Sequence, residues 1–152
     1  HEKAYFKEDG YHVGADFFNI FSYRLIEGDP DQVLREKTSI CISKSLSEKI
    51  FGSVEGALGK VLRYDDDRNF TVTGVFEDIT PRSTDIFDFV LPFEDFKDEN
   101  EWVTEWGNNG PRSYVTLTAG SNPDQVTAKN ADYVHGKVED SNVQLFLKKY
   151  SE

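Results

Sequence analysis

The strongest alternation of apolar and polar positions lies between residues 61 and 78. In Phe70-Thr71-Val72-Thr73-Gly74-Val75-Phe76 a period of two places Phe70, Val72, Gly74 and Phe76 on one face and Thr71, Thr73 and Val75 on the other. β-branched and aromatic residues suit such a half-buried, pleated surface. The acidic stretch Asp65-Asp66-Asp67-Arg68-Asn69 is rich in turn formers and joins this strand to a partner at Val61 to Tyr64. The pattern predicts a hairpin over 61–78, and Gly74 in mid-strand predicts a bulge or a close approach by another segment.

Upstream, the pattern predicts a short strand at Tyr11 to Ala15. Asp16 follows as an N-cap to a helical turn carrying Phe17, Phe18 and Phe21. Ser22 to Glu27 reads as a strand stopped by Gly28-Asp29-Pro30, and Asp31 to Lys37 as a polar turn. Thr38 to Ile42 is the next strand. Ser43 caps a helix with Leu46 and Ile50 turned inward, Phe51 packed beneath and Gly52 at its C-terminal end. Gly56 and Gly59 shape an elbow before Val61. Phe17, Phe21, Phe51 and Phe76 are expected in one core.

Downstream of Asp78 the pattern changes. Thr80-Pro81-Arg82-Ser83-Thr84 reads as a connector between two lobes. Phe87, Phe89, Leu91 and Phe93 then alternate with Asp88, Val90 and Pro92, predicting a strand with one strongly apolar face. Glu94 to Trp106 is acidic, and a helix there would stack Trp102 and Trp106 on one side. Residues 113–118 and 142–148 alternate as strands. Between them, Asn122-Pro123-Asp124-Gln125 has the cap, proline and glutamine of a helix start. Residues 113 to 148 therefore read as β-α-β, and the whole as an α+β chain of two lobes.

Composition narrows what such a chain does. With 152 residues and 12 phenylalanines a real core is available, and no run approaches the roughly 18 apolar residues of a membrane span. A net charge of −11 argues against nucleic acid and anionic lipid as partners, which need a cationic face. Cys41 stands alone between Ile40 and Ile42 and reads as a small core residue. The chain begins at His1 and holds no Met, which suits a piece cut from a longer protein, its targeting or membrane segments left off.

Reactive constellations are not evident. His1, His12 and His135 are scattered, with no metal-ligand spacing to a Cys, His or carboxylate. The acids at 65–67 lack the glycine and closing glutamate of a calcium loop, so a hairpin turn is favoured. No nucleophile elbow occurs, and the glycines of Gly52 to Lys60 are wrongly spaced for a phosphate loop. Asp85 and Asp88 could form an acid/base pair, but a solvated strand face is by far the better account of them. The reading is therefore of a protein that is not an enzyme, with no catalytic, metal-binding or cofactor-binding residue and no cofactor.

One resemblance emerges from the ordered set Ala15-Asp16-Phe17-Phe18-Asn19-Ile20-Phe21, Leu25-Ile26-Glu27-Gly28-Asp29-Pro30, Ile42-Ser43-Lys44-Ser45-Leu46, Phe51-Gly52, Gly59-Lys60 and Val72-Thr73-Gly74-Val75-Phe76. In that order and spacing it resembles the periplasmic core domain of MacB-like ABC transporter permeases, of the FtsX-like permease family. The match is good over 11–93 and looser beyond. The resemblance implies an inserted, Sabre-like lobe at 11–84, which includes the hairpin, and a porter-like β-α-β lobe at 85–152, with 1–10 leading in. Its motif positions, Asp16, Phe17, Phe18, Phe21, Gly28, Ser43, Phe51, Gly52, Gly59, Lys60, Gly74, Val75 and Phe76, are expected to be structural. The function it implies is mechanotransmission on the periplasmic side of the bacterial inner membrane. Partners would be the permease's transmembrane helices, a cytoplasmic ATPase and a periplasmic adaptor or lipoprotein, with a dimer in the full transporter. An alternative is a stand-alone secreted binding module, with Trp102, Trp106 and Tyr114 as an aromatic platform for carbohydrate or peptide.

Overall fold

The computed structural model describes residues 6–65, 67–108 and 110–150. The fold is α+β. Among the described residues, β1 (Gly10–Val13), β2 (Leu25–Glu27), β3 (Ser39–Ser43), β4 (Val61–Tyr64), β5 (Arg68–Phe76) and β6 (Phe89–Pro92) form one mixed sheet. Its order is β1-β6-β3-β5-β2, with β4 also on β5. β3 is central, and all five of its residues are buried. It runs parallel to β5 and antiparallel to β6, while β6 runs parallel to β1. The helices are α1 (Phe17–Ile20), α2 (Lys44–Phe51), α3 (Phe93–Glu99) and α4 (Pro123–Asn130).

The hairpin forms as expected, antiparallel from Val61↔Thr71 to Tyr64↔Arg68. Its turn is tighter than the sequence suggested. Arg68 and Asn69 already belong to β5, and Asp65 takes a positive φ of 48°. The alternation does not run unbroken along β5. The register against β3 jumps from Ile40↔Val72 to Cys41↔Gly74, so Thr73 is an extra residue at a bulge. Beyond it the facing inverts. Val75 joins Phe70 and Val72 on one face, and Phe76 turns to the other.

The sheet consequently has two cores, where the sequence suggested one. The first gathers Ile40, Ile42, Leu46, Phe70, Val72, Val75 and Leu91, with Phe51 packed against it. The second gathers Phe18, Val33, Leu34, Cys41, Phe76, Phe87 and Val90, with Phe17 alongside. Phe21 is half-buried and meets Phe17 at 5.1 Å between ring centroids. A strand covered on both faces cannot have one apolar side, and Val90 and Leu91 are both fully buried at adjacent positions of β6.

Local caps follow the sequence closely. Ser43 Oγ accepts from the Leu46 N–H at 3.1 Å. Gly52 ends α2 in the left-handed conformation, φ 81°, its N–H donating to the Glu48 carbonyl at 2.9 Å. Asn122 Oδ1 accepts from the N–H groups of Asp124 and Gln125 to start α4. Asp16 stands at the N-cap position of α1, but its side chain makes no capping hydrogen bond.

The chain divides into compact units at 1–99 and 100–152. The break lies after α3 and not at the 79–84 connector, because β6 pairs with β1 and β3 and so belongs to the first unit's sheet. In the second unit α4 forms, but residues 113–118 and 142–148 form no strand ladder, so the expected β-α-β is not built. Its helix also stops at Asn130, short of Gly136, and turns continue from there. The leucines of the last segment are tied to the helix side, Leu145 N–H to the Ala131 carbonyl at 3.0 Å and Leu147 N–H to Thr127 Oγ1 at 3.2 Å.

Candidate functional site

Of the expected motif residues, Gly28, Ser43, Gly52, Gly59, Lys60 and Gly74 lie where elements meet. Gly28 and Gly74 come from distant parts of the motif and meet. A Cβ on Gly28, at φ 106°, would lie 2.7 Å from the Thr73 carbonyl and 3.0 Å from the Gly74 Cα. A Cβ on Gly74 would lie 3.0 Å from Cys41 Sγ, and Val33 closes over both glycines. This is the close approach that the mid-strand glycine indicated, and the bulge accompanies it. Thr73 is held there by its hydroxyl, which donates to the Val33 carbonyl at 2.6 Å.

Gly59, at φ 80°, forms the elbow, and its N–H donates to the Val72 carbonyl at 2.8 Å. Lys60 lays its ammonium over the Phe51 ring, 4.4 Å from the centroid. Asp78 is a joint that the sequence reading passed over. Its carboxylate accepts from the Ser45 N–H at 2.8 Å and the Ser45 hydroxyl at 2.7 Å, tying the chain after β5 to the start of α2. A carboxylate at that end of a helix also complements its dipole.

Two surface features gather polar chemistry. The first is a groove of about 730 Å³ beside the first core. Ile40, Ile50, Leu62, Phe70 and Phe89 are among its apolar lining, and residues 6–10 and Arg63 to Asp65 among the rest. The strap at 6–10 is held by Glu8 pairing with Lys49, whose ammonium also sits 5.3 Å from the Phe6 ring centroid. Burial raises the Tyr64 hydroxyl's pKa, with Asp65 adding to the shift and Arg68 opposing it.

The second feature is an ion cluster that no sequence spacing revealed. Arg68 donates to both Asp95 oxygens at 2.9 and 3.1 Å and pairs with Glu99 at 2.9 Å. His12 Nε2 lies 3.3 Å from Asp95 Oδ2. The Arg68 guanidinium also lies 5.3 Å from the Tyr64 ring centroid and 5.5 Å from that of Phe70. His12 and Asp95 are 83 positions apart, and only the fold unites the cluster. Arginine held by two carboxylates is neutralised and positioned, which suits a joint better than a reaction.

The remaining candidates stay apart from any shared centre. Among the described residues no group of three His, Cys, Asp or Glu side chains is arranged to hold a metal ion. His135 Nδ1 lies 3.0 Å from the Ser141 carbonyl, and His1 lies outside the described residues, as does Asp66 of the acidic turn. Cys41 is fully buried, and burial pushes its thiol up to about 12, with Thr73 opposing. Burial raises the pKa of the Asp88 carboxyl, while a hydrogen bond from the Asp9 backbone opposes the shift. Trp102 and Trp106 do not share a helix face, because α3 ends at Glu99 and a 3-10 turn spans Glu101–Thr104. Trp106 packs edge-on to Tyr133 at 5.5 Å, and Tyr114 edge-on to Tyr150 at 5.3 Å.

Comparison with known proteins gives one family match, to the MacB-like periplasmic core domain, over residues 4–132. Among solved structures, a permease-protein domain from Porphyromonas gingivalis superposes with a TM-score of 0.63 at 24% identity, covering 96% of this chain and 70% of that one. The periplasmic region of MacB from Actinobacillus actinomycetemcomitans superposes with a TM-score of 0.55 at 18% identity, covering 83% of this chain and 55% of that one. At those identities the two structures speak for the fold. No curated protein matches the chain.

Proposed function

The chain belongs to the MacB-like periplasmic core domain family, and on that premise we propose that it is the non-catalytic relay of an ABC-type permease. In this reading the domain stands on the periplasmic side of the bacterial inner membrane. It passes conformational change from the transmembrane helices and a cytoplasmic ATPase to a substrate or to a periplasmic adaptor or lipoprotein, within a dimeric transporter. In this reading the sheet unit would supply the family's inserted, Sabre-like lobe, expected at 11–84, with α3 attached to it. The porter-like lobe, expected at 85–152, would lie in the remainder of the chain, although residues 113–118 and 142–148 form no strand ladder.

The observation that supports the reading is that several residues of the motif behind the resemblance lie where elements meet. Gly28 against Gly74, Ser43 and Gly52 at the ends of α2, and Lys60 on Phe51 all fix how elements meet. Two compact units suit a relay, which works only if two arrangements respond unequally to the driving event.

The test is a reversible clamp in the intact permease. One cysteine is placed in 1–99 and one in 100–152, at positions whose Cα atoms lie within about 7 Å in the assembled transporter. Cys41 can stay, because its thiol is buried. Oxidation should stop transport-dependent function and reduction should restore it, while ATP hydrolysis continues. A clamped permease that works normally would overturn the relay between these units.

A further inference from the structure

We infer that α3 is an arm docked on the sheet unit by charge, able to lift away while the sheet stays folded. The two helices that begin directly at a strand's end, α2 after β3 and α3 after β6, are held in different ways. α2 buries Leu46 and Ser47, packs Ile50 and Phe51 against the first core and is capped at both ends. α3 buries no residue. Its aromatic residues belong to neither core. Phe93 stacks on Phe96 at 5.8 Å, and Phe96 meets the His12 ring at 5.2 Å.

What fastens α3 is its carboxylates. Asp95 and Glu99 hold Arg68 of β5, Asp98 holds Lys37 ahead of β3 at 2.5 Å, and Asp95 also meets His12 of β1. Lys97 turns inward to Glu94 on the same helix. Four carboxylates against one lysine give α3 a strong negative charge on a chain that is already acidic. Arg68 and Lys37 are the Lys or Arg side chains that pair with α3 from outside it, among the described residues. The Lys37–Asp98 pair is exposed on both sides and Arg68–Glu99 on the Glu99 side. Such pairs are individually weak and screened by salt, whereas Arg68–Asp95 is partly buried and less screened. Docking that rests on these pairs opens well below the free energy of global unfolding.

The consequence is mechanical. α3 leads directly into residue 100, where the second compact unit begins. Releasing it would add its seven residues to the link between the units. The docking is a property of the chain by itself, whereas its use in a relay rests on the function proposed above.

The test is hydrogen exchange on the whole 152-residue protein, following amides 97–100 against amides of β3 and β5. Replacing both fasteners, Arg68→Gln with Lys37→Gln, should speed exchange at 97–100 by about tenfold, the scale of several weak pairs lost together, and leave the sheet amides unchanged. Raising NaCl from 0.02 to 1 M on the unaltered protein, where the screening length falls to about 3 Å, should act in the same direction and needs no variant to fold. Exchange at 97–100 that ignores salt, or that follows the sheet amides under every condition, would overturn the inference. The clamp experiment on the intact permease can fail without touching this result.

Discussion

The two compact units read alike in sequence and are built very differently. In 1–99, Ile42, Val75, Phe76, Val90 and Leu91 reach zero exposure, and strands from five stretches of chain close around β3. In 100–152 Val134, at 8% exposure, is the one buried residue among those described. Val115, Val143, Leu145 and Phe146 are exposed, although they lie in segments that also alternate. Alternation states that a segment can pair; it does not supply the partner. In the sheet unit β3 finds β5 on one side and β6 on the other. The 113–118 and 142–148 segments have no such neighbour among the described residues, so the same pattern yields extended chain with apolar side chains in the open.

The largest test of this contrast is deletion of a ring in each unit. Phe76→Ala should cost about 3–5 kcal/mol, the usual figure for a buried phenylalanine. Phe146, at 74% exposure, should cost under about 0.5 kcal/mol when changed to Ala. The protein carries a separate probe in each unit. Both tryptophans, Trp102 and Trp106, lie in 100–152, while the buried thiol of Cys41 lies in the sheet. In a denaturant series, Phe76→Ala should shift the onset of Cys41 labelling and leave the tryptophan transition in place. If both transitions move together, the units unfold as one and the contrast is confined to their packing.

A second pair of substitutions separates backbone strain from crowding. Gly28 and Gly120 both have positive φ, 106° and 84°. A Cβ on Gly120 meets nothing within 4 Å, whereas one on Gly28 meets backbone at 2.7 Å. Gly120→Ala should cost about 1 kcal/mol, from the left-handed conformation alone. Gly28→Ala should add about 1–3 kcal/mol of overpacking to its own strain. Equal costs in thermal melts would show that the glycine contact yields easily and is no fixed joint.

How much of this was legible in the sequence follows from distance along the chain. The hairpin, the Ser43 and Gly52 ends of α2 and the Asn122 cap depend on neighbours a few residues away, and all were readable. Gly74 announced its bulge, but the inversion that sends Phe76 to the opposite face depends on register with β3 some 30 residues earlier. The stretch at 79–84 has the composition of a linker, yet the strand after it returns to the same sheet. Composition cannot say where a chain goes next. The Arg68 cluster was invisible for the same reason, since His12, Arg68 and Asp95 become neighbours only once β1, β5 and α3 are in place.

The smallest expected effect concerns Asp88, just ahead of β6 in the sheet unit. Its N–H donates to the Asp9 carbonyl and its own carbonyl accepts from Ser43, each at 2.7 Å, so its backbone is fixed between β1 and β3. Its carboxyl is thereby held partly out of water, and burial raises its pKa, with Glu8 and Asp9 adding to the shift and Lys49 opposing it. A carboxyl whose folded pKa is raised binds its proton more tightly in the folded state than in the unfolded one. Its stabilising contribution is therefore full below the ordinary carboxylate range and is lost as pH rises through the folded value. Asp88→Asn removes the charge and keeps an oxygen to accept the Asp9 N–H. The variant should be slightly more stable than the parent at neutral pH. The difference should close as pH falls below the carboxylate range, where the parent carboxyl is neutral as well. Urea melts followed by Cys41 labelling at several pH values would measure it. A variant less stable at neutral pH would mean that the carboxylate is favoured in place, with its contacts to Asp9 and Lys49 outweighing desolvation.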